Sequence, residues 1–415
     1  MSHYKPYPAY KDSGVEWLGR VPEHWEVVPL KWLAAIQNGR DYKAVESDSE
    51  GYPVFGSGGA FTYATEYLFN GESVLLGRKG TVDKPLYVNG PFWTVDTMYY
   101  TLTSPKSVAR YLYYCALTIQ FDRYSTNTAL PSMTQEVLGQ ITFATPSVQE
   151  QRIVATHLDR ETDRIDGLLE RKTRFIELLR EKRQTLITHA VSKGLDPRAK
   201  MKGIEVTSVK EIPEQWSVRS FKHLANIRYG IGEPPAYKSE GTPLIRATNV
   251  DAGKIKSKGL VYVDPLDIPE KRIVWLAPGD IIVVRSGAYT GDSAIVREEH
   301  CPSIAGFDMV ASAHSIEPDF LQYALLSDYL KSNQIDLEKM RAAQPHLNAE
   351  ELGACFVLVP PKQDQEGIVN YLNQATTRLD TLITKTELSL TLLKERRSAL
   401  ITAAVTGQID LREAS

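Results

Sequence analysis

The chain contains a long internal duplication, and this feature constrains its fold more than any single motif does. Residues 145–196 align without a gap with residues 359–410, 214 positions later. A second match places residues 21–36 on residues 212–227, at an offset of 191. A repeat of about 200 residues is a duplicated domain rather than a short solenoid unit. The sequence therefore predicts two similar halves related by an approximate two-fold axis.

Each half is predicted to end in a long helix. Apolar residues recur at mixed steps of three and four over residues 154–190, and they do so again over residues 368–404, which is typical of a coiled-coil seam. Gly194 and Gly407 follow the two stretches as stop signals. About 44 helical residues would form a rod about 65 Å long. We expect the two rods to pair antiparallel and to hold the globular regions apart.

Two arginines interrupt the apolar seam at equivalent positions, Arg183 in the first helix and Arg397 in the second. Each could extend its charged end from the seam into solvent. Alternatively, the two arginines fix the helix register or contact a partner protein. The sequence leaves both interpretations open.

The globular regions are predicted to be mixed, with short buried strands, basic Gly-rich loops, and amphipathic helices at 109–121 and 318–330. The expected fold class is α+β: two similar mixed α/β domains separated by two long helices that form an antiparallel coiled coil. The expected domains are an N-terminal segment at 1–20, a first globular domain at 21–145, a first spacer helix at 146–195, a connector at 196–211, a second globular domain at 212–359, a second spacer helix at 360–407 and a C-terminal tail at 408–415.

Composition excludes several classes of protein. No apolar run approaches the roughly 20 residues of a membrane span, so a cytoplasmic location without membrane contact is expected. The three cysteines have no CxxC spacing, which argues against a disulfide framework or a zinc site. Basic and acidic residues number 12 and 14 over residues 1–145, and 17 and 21 over residues 201–360. If DNA is the ligand, other chains must supply part of the electrostatic attraction.

No catalytic motif is present. The GRKGT segment at 77–81 lacks the spacing of a phosphate-binding P-loop. The HExxH motif and the GxSxG motif are both absent from the sequence. The asparagine-proline-proline-aromatic signature with which amino-methyltransferases hold a flipped base is absent as well. These observations favour function by binding, and no metal site is expected.

The duplicated segments resemble the specificity subunit of Type I restriction-modification systems. The resemblance is carried by VPEHW at 21–25, the loops GRKGT at 77–81 and VRSGAYTG at 284–291, AAQPHLN at 342–348, and the PxxQEQ and PPKQDQ entries into the two long helices. The order of recognition domain, spacer helix, recognition domain and spacer helix matches as well. The likeness covers nearly all of residues 10–410.

The resemblance implies a chain without enzymatic activity of its own, from a bacterium or an archaeon. Each target-recognition domain would read one half of a split, asymmetric site in double-stranded DNA, and the helices would set the spacing between the halves. Two methyltransferase subunits would dock on the helices, and two restriction subunits with motor and nuclease activity would join them. No cofactor is expected on this chain, because the partners would use S-adenosylmethionine, ATP and Mg²⁺.

Loops with arginine, serine, threonine and glycine are the candidates for DNA contact. Arginine can bind guanine in a bidentate manner, and glycine lets the backbone approach a phosphate closely. The principal candidates are Arg78, Lys79, Gly80 and Thr81 in the first domain, and Arg285, Ser286, Gly287 and Thr290 in the second. A second set comprises Ser57, Gly58, Gly59, Arg246, Asn249, Gln344 and His346.

Two other functions remain open at this point. One is a non-enzymatic scaffold whose coiled coil joins two protein-binding modules, which the slightly acidic domains would suit. The other is a nuclease or transferase with an unfamiliar site.

Overall fold

The computed structural model of the chain describes residues 4–124, 131–206, 208–339 and 345–412. The chain divides into two compact units, of which unit 1 comprises Met1–Thr173 with Glu387–Ser415, and unit 2 comprises Arg174–Thr386. Each unit therefore contains one globular domain and parts of both long helices.

Unit 1 is built around a seven-stranded sheet with the strand order β4-β10-β8-β9-β6-β7-β5. The pair β6 and β9 is parallel, and the other pairs in this sheet are antiparallel. Separate two-stranded pairs are formed by β1 with β2 and by β3 with β11. The strands are β1 (Tyr10–Asp12), β2 (Arg20–Pro22), β3 (Glu26–Pro29), β4 (Ala34–Asn38), β5 (Glu46–Ser47), β6 (Tyr52–Gly56), β7 (Gly59–Ala64), β8 (Phe69–Gly77), β9 (Leu86–Thr94), β10 (Met98–Thr103) and β11 (Thr142–Thr145).

The helices of the first domain are α1 (Leu30–Leu33), α2 (Ala109–Ala116) and α3 (Gln135–Gln140). The first long helix is α4 (Val148–Lys193). The predicted helix at 109–121 is present but ends earlier, because the Thr118 hydroxyl donates to the Cys115 carbonyl at 2.7 Å and closes the last turn.

Unit 2 repeats this plan with smaller sheets. A four-stranded sheet has the order β15-β23-β20-β21, and a three-stranded sheet has the order β19-β16-β22. The strands are β12 (Met201–Val206), β13 (Val209–Pro213), β14 (Ser217–Ser220), β15 (Ala225–Tyr229), β16 (Thr242–Ile245), β17 (Val250–Asp251), β18 (Lys254–Ile255), β19 (Val261–Val263), β20 (Asp280–Val283), β21 (Ser293–Ile295), β22 (Ile304–Ala305), β23 (Met309–Ala313) and β24 (Phe356–Val359). The helices are α5 (Pro318–Leu326), α6 (Asp336–Lys339), α7 (Ala349–Ala354) and the second long helix, α8 (Lys362–Val405).

The segment predicted as a connector at 196–211 contains regular structure. Its residues form most of an antiparallel hairpin between β12 and β13, in register Met201 with Pro213. The hairpin of β1 with β2 lies at the corresponding place in front of the first domain. The β-branched residues Ile204, Val206 and Val209 in this polar segment favour strands, although its proline and glycine content suggests a loop.

The long helices supply one wall of each domain core. In unit 1, Leu158 of α4 and Leu400 of α8 belong to the same buried cluster as Leu112 of α2. In unit 2, Ile187 of α4 and Leu372 of α8 share a cluster with other buried residues of that domain. The beginning of α4 lies beside the end of α8 in unit 1, and the end of α4 lies beside the beginning of α8 in unit 2. The two helices therefore pair antiparallel, as the sequence predicts.

A buried glutamine attaches each domain to the first turns of the helix that follows it. The Gln151 side chain accepts from the Val108 amide at 2.8 Å and donates to the Lys106 carbonyl at 2.9 Å. Its equivalent, Gln365, accepts from the Glu317 amide at 2.8 Å and donates to the Pro360 carbonyl at 2.8 Å. Both glutamine side chains are buried, so their amide groups are satisfied by backbone groups of the domain rather than by bulk water.

In each domain, a tyrosine forms a second contact with the long helix, about two turns beyond the glutamine. Tyr114 of α2 donates to Asp159 of α4 at 2.6 Å. Tyr323 of α5 donates to Asn373 of α8 at 2.7 Å. Burial raises the pKa of both phenols, so both remain protonated donors. Asp159 and Asn373 are equivalent positions of the duplication, and the contact is therefore conserved between the halves while its charge is not.

We expect Gln365→Ala to lower the free energy of unfolding by about 1–3 kcal/mol, because the Glu317 amide and the Pro360 carbonyl would lose their buried partner. Urea-induced unfolding followed by circular dichroism would measure this loss. Glu366→Ala, at an exposed neighbouring position, is the matched control. An unchanged midpoint for Gln365→Ala would show that the attachment does not contribute to stability.

Candidate nucleic-acid interface

In the second domain, the basic loop that follows β20 is joined to the segment that precedes α7. The Arg285 carbonyl accepts from the Leu347 amide at 2.8 Å, and the Gly287 amide donates to the Pro345 carbonyl at 3.3 Å. Between these bonds Ser286 and His346 form an isolated antiparallel bridge. The sequence placed Arg285 and His346 in two separate candidate sets, and the structure brings them into one surface.

The same arrangement occurs in the first domain. The Arg78 carbonyl accepts from the Met133 amide at 3.0 Å, and the Gly80 amide donates to the Pro131 carbonyl at 2.9 Å. Lys79 forms the equivalent bridge with Ser132. Both domains therefore present an arginine-containing loop through the same backbone pairing, and the side chains on that pairing differ.

Arg285 lies between two aromatic rings. Its guanidinium carbon is 4.7 Å from the centre of the Tyr229 ring and 4.2 Å from the centre of the Phe307 ring. The Arg285 amide donates to the buried Asp308 carboxyl at 3.2 Å. Burial raises the pKa of Asp308, and hydrogen bonds from the Arg285 and Ala247 amides oppose that rise.

Arg78 has a different environment. One of its terminal nitrogens donates to the Asp96 carbonyl at 3.3 Å, and its guanidinium carbon is 6.0 Å from the centre of the Tyr99 ring. Lys79 and Thr81 are exposed beside it. The first-domain arginine is thus bound to the backbone, whereas the second-domain arginine is held by aromatic rings.

Two of the predicted contact residues are buried and used within the protein. The Thr290 hydroxyl donates to the Gly287 carbonyl at 2.7 Å and stabilises the loop turn. The Asn249 side chain accepts from the Arg246 amide at 3.2 Å and donates to the Lys256 carbonyl at 3.3 Å. These contacts give both residues a role in shaping the loops, and DNA contact by either one stays a prediction.

The remaining candidates lie on the surface of their domains. Arg246 is half-buried, donates to the Gly259 carbonyl at 3.0 Å and lies 5.3 Å from the centre of the Tyr237 ring. Ser57 and Gly58 form the turn between β6 and β7, and Gly59 adopts a φ of 108°, which favours glycine. Gln344 lies outside the described residues.

Sequence reasoning missed the exposed aromatic residues around these loops. Tyr229, Tyr237 and Phe307 are each more than two-fifths exposed, although aromatic side chains of this size are usually covered. One sequence signal for these residues was available. Tyr229 ends a strand whose equivalent in the first domain ends in Asn38, so the two halves differ in residue type at this repeat position. Such a difference at one position is a weak indication of a surface that is specific to one domain.

The arginines of the helical seam make equivalent ion pairs. Arg397 of α8 binds Asp166 of α4 through two nitrogens, at 2.9 and 3.1 Å. Arg183 of α4 binds Asp380 of α8, with Nε 3.1 Å from Oδ1. Because Asp166 and Asp380 are also 214 positions apart, each pair is the repeat image of the other.

The pair in unit 2 has additional contacts with the second globular domain. Arg183 donates to the Ala252 carbonyl at 3.2 Å, and Lys254 lies 2.6 Å from the second oxygen of Asp380. Ala252 and Lys254 belong to the hairpin formed by β17 and β18. This hairpin therefore connects the domain to both helices within unit 2.

A family model described as the Type I restriction modification DNA specificity domain matches the chain over residues 22–177 and again over residues 213–392. The chain belongs to this family. It is a specificity subunit with two target-recognition domains, and its role in such a system is DNA recognition.

Similar proteins span almost the same length as this specificity subunit. The specificity subunit of the Type I restriction enzyme EcoBI of Escherichia coli is 22% identical, over 96% of this chain and 89% of its own. That of the enzyme MjaVIII of Methanocaldococcus jannaschii is 22% identical, over 95% of both chains. A solved structure from work on complex assembly and conformational transition of the type I restriction-modification system has a TM-score of 0.69 at 16% identity. It covers 94% of this chain and 99% of its own, and the likeness shows the fold.

Within the described residues, no helix combines the length and apolar character that crossing a bilayer requires. In the same part of the chain, no group of three or more His, Cys, Asp or Glu side chains is arranged to hold a metal ion.

We expect Asp380→Asn to lower the free energy of unfolding by about 1.5–3 kcal/mol, because the mostly buried Arg183 would lose the negative charge with which it forms an ion pair. Asp166→Asn should cost only about 0–1 kcal/mol, since its pair with Arg397 is more exposed. Chemical unfolding of the two variants, with the exposed Asp163→Asn as control, would compare them. Equal and negligible losses would indicate that the arginines are merely solvated in the seam.

Proposed function

We propose that each target-recognition domain reads one half of a split, asymmetric sequence in double-stranded DNA. The observation that carries this proposal is the repeated pairing of an Arg-containing loop with a proline-containing segment, at Arg78 to Met133 in one domain and Arg285 to Leu347 in the other. The same backbone pairing presents different side chains in the two domains. Because different donors and acceptors favour different base pairs in the major groove, the two half-sites are expected to differ.

The proposal assigns the contacts of each loop by residue type. Arg285 and Arg78 are candidates for base edges, and the exposed Lys79 suits a phosphate, which needs only a positive charge. Ser286, His346 and Arg246 extend the surface of the second domain, and the turn at 57–59 extends that of the first. Phosphate contacts would position each domain, and base contacts would specify the sequence.

Exchanging residues 20–145 for the equivalent region of a related subunit should change one half-site and preserve the other, because the contact set of each domain is local. Mapping methylated adenines across a genome, in cells that express the assembled system, would measure this. Exchange of residues 212–359 is the matched control, and it should change the opposite half-site.

The exchange also discriminates between functions. Altered specificity in both halves would contradict independent reading by the two domains. A scaffold of protein-binding modules would leave the methylation pattern unchanged in both exchanges. An enzyme with an unfamiliar site would show turnover by the isolated chain.

We further propose that the paired helices set the number of base pairs between the half-sites. Support comes from the reciprocal ion pairs of Arg183 with Asp380 and Arg397 with Asp166, which favour one register of α4 against α8. A fixed register gives the coiled coil a fixed length, which is the property that a molecular spacer requires.

Inserting four residues after Thr173 and four after Glu387, the equivalent positions of α4 and α8, should lengthen the unread gap. Each insertion adds about one helical turn, or about 6 Å, which corresponds to about one to two base pairs of DNA. Both half-sites should stay unchanged in a methylation map. Addition of the same four residues after Arg412 is the control, and an unchanged gap in the helix variant would contradict the spacer role.

Two methyltransferase subunits and two restriction subunits are proposed as the protein partners. Leu178 of α4 and Leu392 of α8 are equivalent residues of the duplication, and each is about half exposed. Exposed leucines at repeated positions give each unit an equivalent apolar contact point, which suits two copies of one partner. The near-neutral domains are consistent with partners that supply positive charge toward DNA. S-adenosylmethionine, ATP and Mg²⁺ are assigned to these partners.

A further inference from the structure

The guanidinium group of Arg285 contacts two aromatic rings, while its terminal nitrogens remain available as hydrogen-bond donors. Its central carbon lies 4.7 Å from the centre of the Tyr229 ring and 4.2 Å from the centre of the Phe307 ring, so two aromatic rings contact the guanidinium. Its Nε is buried without a hydrogen-bond partner. Within the described residues, its terminal nitrogens make no hydrogen bond or ion pair. The donors that remain available to a ligand are therefore the N–H groups of the two terminal nitrogens.

The two rings are positioned by a close approach of backbone segments. Tyr229 is followed by Gly230, and Phe307 is preceded by Gly306. A Cβ atom on Gly230 would lie 1.9 Å from the Gly306 carbonyl oxygen, so a side chain at that position would separate the two segments. The Gly230 amide donates to the Asp308 carbonyl at 2.9 Å and holds the segments together.

Hydrogen bonds also restrain the Tyr229 ring and the Arg285 backbone. The Tyr229 hydroxyl accepts from the Ala349 amide at the first turn of α7, at 2.9 Å, which fixes the ring. The backbone of Arg285 is bound on one side by Asp308 and on the other by Leu347. These contacts restrain the Arg285 backbone and one of the rings beside its side chain, which lowers the conformational entropy that a ligand would have to remove on binding.

We propose that Tyr229 and Phe307 are positioning residues that present Arg285 to a guanine in the half-site of the second domain. This inference rests on the proposed function. A guanine offers two acceptors, O6 and N7, to one planar guanidinium edge, so a plane of fixed orientation favours this base. An arginine can also bind a phosphate in a bidentate manner, but a phosphate contact carries no sequence information. A loss of discrimination confined to one base pair therefore distinguishes the guanine contact from a phosphate contact.

Among its described residues, the first domain has no equivalent pair of rings around Arg78. Asn38 stands at the position equivalent to Tyr229. Gly39 lies against the Val95 carbonyl, and in the second domain Gly230 lies against the Gly306 carbonyl in the same way. The residue that follows Val95 is Asp96, and the residue that follows Gly306 is Phe307, so these two residues occupy equivalent positions. The guanine contact made through a clamped arginine therefore belongs to one half-site only.

The test uses the chain assembled with its methyltransferase subunits and a set of DNA duplexes in which each base pair of both half-sites is changed in turn. Arg285→Lys keeps the charge but loses the bidentate plane. We expect discrimination to fall by about tenfold or more at one guanine of the second-domain half-site. Affinity for unrelated DNA and its salt dependence should stay unchanged. Arg78→Lys is the matched control and should leave that guanine position unaffected.

The clamp is tested by conservative pairs at its two rings. Phe307→Leu should weaken discrimination at the same guanine position, and Phe307→Tyr, which restores a ring, should recover it. Tyr229→Leu should act in the same way as Phe307→Leu. A purely structural role for the rings would lower stability without a change confined to one base pair, and thermal unfolding of each complex separates these effects.

The outcomes distinguish this inference from the proposed function. If the wild-type complex discriminates sequences but Arg285→Lys behaves like the wild type, the guanine assignment is overturned and DNA recognition stands. If Phe307→Leu and Tyr229→Leu both keep full discrimination while Arg285→Lys loses it, the positioning role of the rings is overturned. If the wild-type complex shows no sequence preference in either half-site, the proposed function itself fails.

Discussion

The attachment of each recognition domain to the start of the helix behind it is the interaction on which the other features depend. A loop that reads DNA is useful only if its position relative to the spacer is fixed. Gln151 and Gln365 provide this fixation, because their buried side chains hydrogen-bond to backbone groups of the domain. The tyrosine contacts to Asp159 and Asn373 add a second point, so that rotation about the first is restricted.

In the two halves of the duplication, the contacts that attach each domain to the long helices are the same, whereas the exposed surfaces of the domains differ. The glutamine, tyrosine and seam-arginine contacts recur at an offset of 214 on the helices. The environments of Arg78 and Arg285 do not recur, because Asn38 and Asp96 replace the two rings of the second domain. This division would suit the proposed assembly, with two copies of each partner subunit and a split, asymmetric DNA site.

Much of the architecture was predictable because helical periodicity and the duplication are local or repetitive signals. The antiparallel pairing of the helices and the presence of two mixed domains follow from them. The clamp around Arg285 was not predictable, since Tyr229 and Phe307 lie far from Arg285 in sequence and meet only through Gly230 and Gly306. The burial of Thr290 and Asn249 likewise depends on tertiary contacts that residue type alone does not indicate.

The position of the attachment residues along the chain has an evolutionary consequence. Gln151 and Asp159 lie within the first twelve residues of α4, and Gln365 and Asn373 lie within the first twelve of α8. A recombination breakpoint placed beyond these turns would transfer a recognition domain together with the helix residues that attach it. The incoming domain would then keep its polar attachments, and only its apolar contacts with the other long helix would involve residues of the recipient. New pairs of half-sites could arise in a single genetic exchange.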